Sequence, residues 1–109
     1  MISVQQATLD AIASPRRREI LRLVWARELS AGEIASHFDI SWPAVSQNLN
    51  VLRDAGLVSE RRDGRRRLYR AEPRALGPLA TALREMWKTD LANLKREVER
   101  GTRRRGSRS

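Results

Sequence analysis

The sequence predicts a mainly α-helical domain with a small β-hairpin, and three observations carry that expectation. Capped, amphipathic helical segments follow one another from Val4 to Gly56. Two strand-like runs then flank Asp63-Gly64, and a long apolar stripe at helical spacing follows them. In that order the elements describe a winged helix-turn-helix with a long C-terminal dimerisation helix.

The first helix is expected over Val4–Ala13, with Leu9 and Ile12 on one face, and it ends at the Ser14-Pro15 pair. Ser14 suits an N-cap and Pro15 the first helical position, so a second helix should run to about Ala26 and bury Ile20, Leu21 and Val24. Ser30-Ala31-Gly32-Glu33 fits a capping box and starts a third helix carrying Ile34, Ala35 and Phe38. After a turn at Asp39-Ile40, Ser41 caps again with Pro43 just inside. Val45, Leu49 and Leu52 then form the apolar stripe of a fourth helix, which Gly56 stops.

The hairpin follows from alternation and turn chemistry. Val58–Arg62 and Arg65–Ala71 flank Asp63-Gly64, a pair that tolerates the positive φ of a two-residue turn, and Leu57, Leu68 and Tyr69 should anchor the hairpin to the helices. Beyond it, Pro73–Arg100 is expected to be one long helix. Its stripe of Leu76, Leu79, Leu83, Trp87, Leu91, Leu94 and Val98 is too long for so small a core to cover within one subunit. A second copy should cover it, with Met86 and Trp87 at the centre of the seam and Leu9 and Ile12 joining from the first helix. The alternative is intramolecular packing of the first half only. Residues 1–99 are thus expected to form one DNA-binding and dimerisation domain, and residues 100–109 a disordered basic tail.

Composition narrows the partners. The 109 residues are 40% hydrophobic and carry a formal charge of +9, which points to an anionic partner, nucleic acid ahead of a membrane surface. The last ten residues hold five arginines and no acid, and Arg61 to Arg70 holds six more against Asp63 alone. The absence of cysteine removes disulfides, thiolate metal sites and cysteine nucleophiles. The N-terminal MISVQQATLDAIAS has neither a basic leader nor a long apolar run, and no segment approaches a membrane span, so a cytoplasmic protein is expected.

The fourth helix carries the functional expectation. Pro43, Ser46, Gln47 and Asn50 share one row away from the apolar stripe, and that row is polar without charge. Gln47 and Asn50 can pair with adenine edges, Ser46 can donate or accept, and Pro43 or Ala44 can touch a thymine methyl. Trp42 either packs under the helix start or lies on the sugar-phosphate backbone, with packing favoured. Arg62, Arg65 and Arg66 at the hairpin tip, with Arg53 near the end of the helix, can reach phosphates or an adjacent minor groove.

The runs SPRRREILRLV and LSAGEIASHFDISWPAVSQNLNVLRDAGLVSERRDGRRRLYR resemble the ArsR-type winged helix repressors over roughly residues 5 to 95, most specifically in PAVSQNLNVLRDAGLV and DGRRRLYR. The resemblance implies a homodimeric repressor that binds a palindromic operator and releases it on a signal. Metal-sensing members carry a CxC-type pair before the recognition helix, or His and carboxylate ligands on the C-terminal helix. The matching stretch here is Glu28-Leu29-Ser30-Ala31-Gly32-Glu33, without a thiol, and the only histidine is His37, expected to be structural. No metal or cofactor is therefore expected, and the resemblance is nearest the non-metal branch; any effector is unnamed by the sequence.

Two other readings compete. A nonspecific or architectural nucleic-acid binder would use the arginines and not the helix face. An enzyme is disfavoured by one His, no Cys and no Ser-His-Asp or paired-carboxylate constellation.

Overall fold

The computed structural model describes residues 2–89. In order these form α1 (Ile2–Ile12), α2 (Pro15–Ala26), β1 (Leu29–Ser30), α3 (Ala31–Phe38), α4 (Trp42–Asp54), β2 (Val58–Asp63), β3 (Arg66–Ala71) and α5 (Pro73–Leu76). A further helix, α6, is described over residues 78–89. The chain divides into two compact units after Leu76, so α6 belongs to the second. The fold is mainly helical with a small antiparallel wing, the winged helix-turn-helix that the sequence predicts.

Helix boundaries follow local chemistry. Ser14 Oγ accepts the Arg17 backbone N–H at 3.3 Å with Pro15 in the first turn, which starts α2. The end of α1 is closed from α2. Arg17 Nε donates to the Ala11 carbonyl at 2.6 Å, and Arg18 Nη1 donates to those of Ile12 and Ala13 at 2.8 and 3.2 Å. Cations thereby satisfy the carbonyls that a helix leaves open at its negative end. The first helix occupies Ile2–Ile12 instead of Val4–Ala13. Thr8 and Ala11, three residues apart, form its buried row, and Leu9 lies one position, about 100° of rotation, beside Thr8 and remains 47% exposed.

The core is the expected one. Ile20, Leu21 and Val24 of α2, Ile34 of α3, Val45, Leu49 and Leu52 of α4, and Leu57 retain no exposed surface. Leu68 and Tyr69 are both buried although neighbours in a strand point to opposite faces.

The sheet corrects two expectations. Its order is β1-β3-β2, with Leu29 opposite Tyr69 and Ser30 opposite Leu68, so a third strand of two residues precedes α3. Asp63 pairs with Arg66, which makes Gly64-Arg65 the turn instead of Asp63-Gly64. Gly64 has φ +66 and Arg65 is not left-handed, so only the first central position is left-handed. That is the II′ pattern, which puts glycine first, and not the I′ pattern that needs positive φ at both positions.

The single helix expected over Pro73–Arg100 is also corrected. It breaks at Gly77, where φ is +54, and helix resumes at Pro78. A residue preceding proline is pushed out of the α region, and proline has no N–H to bond back into the preceding turn, so Gly77-Pro78 ends one helix and starts the next. Within α6 the buried row is Ala80, Leu83 and Trp87; Leu79 is half-buried and Met86 is 38% exposed. Leu83 and Trp87, expected at the seam between copies, are both buried in the described structure. Leu91, Leu94, Val98 and the basic tail lie outside the described residues.

Candidate nucleic-acid interface

Three local devices build the interface. Ser41 Oγ accepts the Ala44 backbone N–H at 3.3 Å and sets the first turn of α4, with Pro43 inside it. Burial of Val45, Leu49 and Leu52 then fixes the rotation of the helix. Pro43, Ser46, Gln47 and Asn50 are left exposed together, with Ala44 half-buried beside them. Asn48 faces elsewhere, its Nδ2 donating to the Ala44 carbonyl at 2.8 Å.

Trp42 packs at the helix start only in part. Its indole lies so close to α3 that a Cβ added to Gly32 would stand 2.6 Å from Cζ2, yet the side chain is 65% exposed. It rests against the third helix without being covered by it.

The wing arginines divide into two groups. Arg61 grips Glu28 with both prongs, Nε to Oε2 at 2.7 Å and Nη2 to Oε1 at 2.8 Å. Arg66 Nη2 donates to Glu33 Oε1, and Arg53 Nη1 lies 3.4 Å from Glu60 Oε1. Two of the predicted DNA contacts, Arg53 and Arg66, therefore already hold a carboxylate. Arg62 and Arg65 are exposed, and among the described residues neither forms an ion pair.

Electrostatics follow this arrangement. The Arg61 hydrogen bond holds the Glu28 carboxyl below its usual range, and Glu28 in turn raises the Arg61 guanidinium. Glu33 is lowered first by the Ser30 backbone N–H, then by the Ser30 hydroxyl, with Arg66 adding to it. Burial, followed by the neighbouring Glu60, pushes the Tyr69 phenol up.

A groove of about 720 Å³ lies between the starts of α3 and α4 and strand β3, with Gly32, Glu33, Trp42, Ser46, Arg66 and Tyr69 among its walls. Sequence reasoning missed Glu28 and Gly32 as parts of this surface, and gave Glu33 only its capping role. The signal available was a pair of acids in a stretch facing an arginine-rich one, without a way to pair them.

The arsR-family model of bacterial regulatory proteins matches residues 14–60, from the N-cap of α2 into the wing. An HTH-type transcriptional regulator of Mycobacterium tuberculosis is 41% identical over 78 residues, which span 72% of this chain and 73% of that protein. The chain belongs to the arsR family of bacterial regulatory proteins. Transcriptional repressor SdpR of Bacillus subtilis is 46% identical over 54 residues, half of this chain and 60% of the repressor's own length. In three dimensions the chain matches a solution structure from Mycobacterium bovis, described as a homodimeric winged helix-turn-helix DNA-binding domain. The TM-score is 0.71 at 28% identity, covering 80% of this chain and 81% of the other.

The family is one of transcriptional regulators, not of enzymes. Among the described residues no helix is long and apolar enough to cross a membrane, and no cluster of His, Cys, Asp and Glu could hold a metal ion. His37, expected to be structural, is exposed and meets Phe38 edge-on, ring centroids 5.2 Å apart.

Proposed function

We propose that this arsR-family protein is a homodimeric transcriptional repressor that binds an inverted-repeat operator in the cytoplasm. Helix α4 enters the major groove, and the β2–β3 wing lies on the backbone or in the minor groove. One observation carries this reading: an uncharged, exposed row of Pro43, Ser46, Gln47 and Asn50 stands on the same unit as a wing rich in arginine. Uncharged donors and acceptors add little nonspecific affinity, so a row of them beside cations suits the reading of base edges. Trp42 and Ala44 flank that row at its start, while Arg62 and Arg65 supply phosphate contacts.

Dimerisation is supported by the homodimeric Mycobacterium bovis relative and by exposed apolar surface on Leu9 and Met86, each of which a second copy can cover. Ile12 and Leu79, half-buried in their own units, and Leu91 and Leu94, outside the described residues, complete the set assigned to the interface between copies. With no cysteine, these 109 residues supply no thiolate ligand for a metal.

Selection of duplexes from a randomised pool tests the proposal. Two-fold symmetry should return an inverted repeat with half-sites about 34 Å apart. Replacing Gln47 and Asn50 by Ala should then cost about 1–3 kcal/mol of discrimination for each adenine pairing removed. A preference that survives both replacements assigns binding to the arginines alone, which is the architectural reading.

A further inference from the structure

The first turn of α3 touches both parts of the surface assigned to DNA, through two different residues. At Gly32 the contact is steric: the Trp42 indole, on the first residue of α4, fills the place a side chain would take, 2.6 Å from where a Cβ would sit. At Glu33 it is polar. A single carboxylate oxygen, Oε1, accepts the Ser30 backbone N–H at 3.0 Å and also the Arg66 guanidinium from the first residue of β3. Ser30 is itself in β1, opposite Leu68 of the same strand as Arg66.

Glu33 cannot be a phosphate contact, since it carries the phosphate's own charge. An exposed acid among wing arginines weakens nonspecific attraction to DNA, and its capping role on α3 leaves the Arg66 contact without a function. The shared oxygen supplies one. It ties the cap of α3 to the first residue of β3, beside the wing turn, while Gly32 seats the start of α4 on the same turn.

We propose that the Ser30–Glu33 turn is a bracket that sets Trp42 and the recognition helix at a fixed place relative to the wing tip at Arg66. Gly32 and Glu33 are then positioning residues for operator discrimination that touch no base. The proposal deepens the DNA-reading function above and rests on it. Base readout tolerates only about 0.5 Å and 10–20° of misplacement, and two separately hinged contacts would not keep that tolerance.

Two variants test it, measured against the duplex that wild-type protein selects and a scrambled duplex of equal length. Gly32→Ala drives the indole out of its seat. The clash is with the end of an exposed side chain, and alanine is the better helix former, so thermal stability should hold or rise while discrimination falls about tenfold, the scale of one misplaced base contact. Glu33→Gln should keep or raise affinity for the scrambled duplex, because an acid is removed, and should lower discrimination by a similar factor. A merely structural role would lower both affinities in proportion to the folded fraction, leaving their ratio alone.

A third measurement needs no DNA. In Glu33→Gln the backbone amides of Gly64 to Arg66 should exchange about two- to fivefold faster, the span an exposed ion pair supplies. Unchanged discrimination in both variants, or unchanged exchange at the wing tip, overturns the bracket. If wild-type protein selects no duplex at all, the operator reading falls, and the exchange comparison alone decides the bracket.

Discussion

Arg61 and Glu28, separated by 33 positions in the chain, meet in a two-pronged pair with N–O distances of 2.7 and 2.8 Å. Equal charges on the wing are therefore unequal in what they can do. An arginine already holding a carboxylate must exchange partners before it reaches a phosphate, whereas Arg65 at the turn has no such exchange to make. We expect Arg65→Gln to reduce the slope of log affinity against log salt by about 0.9, one phosphate contact, and Arg61→Gln to reduce it much less. Both remove one positive charge. Equal slope changes in a fluorescence anisotropy titration across salt would show that net charge alone governs binding.

The same carboxylates set the response to acid. Glu28 and Glu33 have lowered pKa values in the fold, Glu28 chiefly through Arg61 and Glu33 chiefly through the Ser30 N–H. A depressed carboxyl stabilises the fold fully above its unfolded value, here 4.5, and loses that contribution as pH falls through the folded value. Wing anchoring should thus be constant between neutral pH and about 5 and weaken only below that. Carboxyl carbon titration by NMR checks this: both midpoints should lie under 4.5, and a midpoint at or above it for either residue contradicts the corresponding contact.

Local signals made most of this fold legible in the sequence, and tertiary ones hid the rest. Ser41 with Pro43 and the row Val45, Leu49, Leu52 are decided within one or two turns, and the structure reproduces them. Strand β1 was hidden because Leu29-Ser30 also begins a capping box, and nothing local says that Ser30 has a partner in Leu68. Asp-Gly, the stronger hairpin pair, points to a turn one residue early, whereas the register set by Leu68 and Tyr69 in the core puts Gly64 first. At Gly77 the apolar period runs on across the break, so periodicity masked what the Gly-Pro pair states. Arg61 and Glu28, or Arg66 and Glu33, become a pair only once the sheet has formed.

Gly77 offers a clean measure of backbone strain. Its φ is +54, and a Cβ built there has nothing within 4 Å, so a substitution meets no neighbouring side chain. Gly77→Ala should destabilise by about 1–2 kcal/mol through the left-handed conformation alone, and Gly77→Asn by less. Equilibrium urea unfolding measures both. Equal stability of the wild-type and Gly77→Ala proteins would mean that the break between α5 and α6 straightens or shifts when the glycine is replaced.

Leu49 and Val51 sit two positions apart on α4 and face opposite environments, one with no exposed surface and the other 37% exposed. Truncating Leu49 leaves a cavity beneath the helix, which the packed side chains of α2 and α3 cannot close; Leu49→Ala should cost about 2–5 kcal/mol. That is a large part of the roughly 5–15 kcal/mol a domain of this kind has in hand, so DNA binding should fail through unfolding at elevated temperature while the contact row stays intact. Val51→Ala removes little buried surface and replaces a β-branched residue by the best helix former, so its effect should stay within about 0.5 kcal/mol of zero. Thermal melts of the two variants, read beside affinity for one duplex at low temperature, separate support of the helix from reading by it. A Leu49→Ala protein that melts with wild type would mean that Leu49 does not set the rotation on which the exposure of Ser46, Gln47 and Asn50 depends.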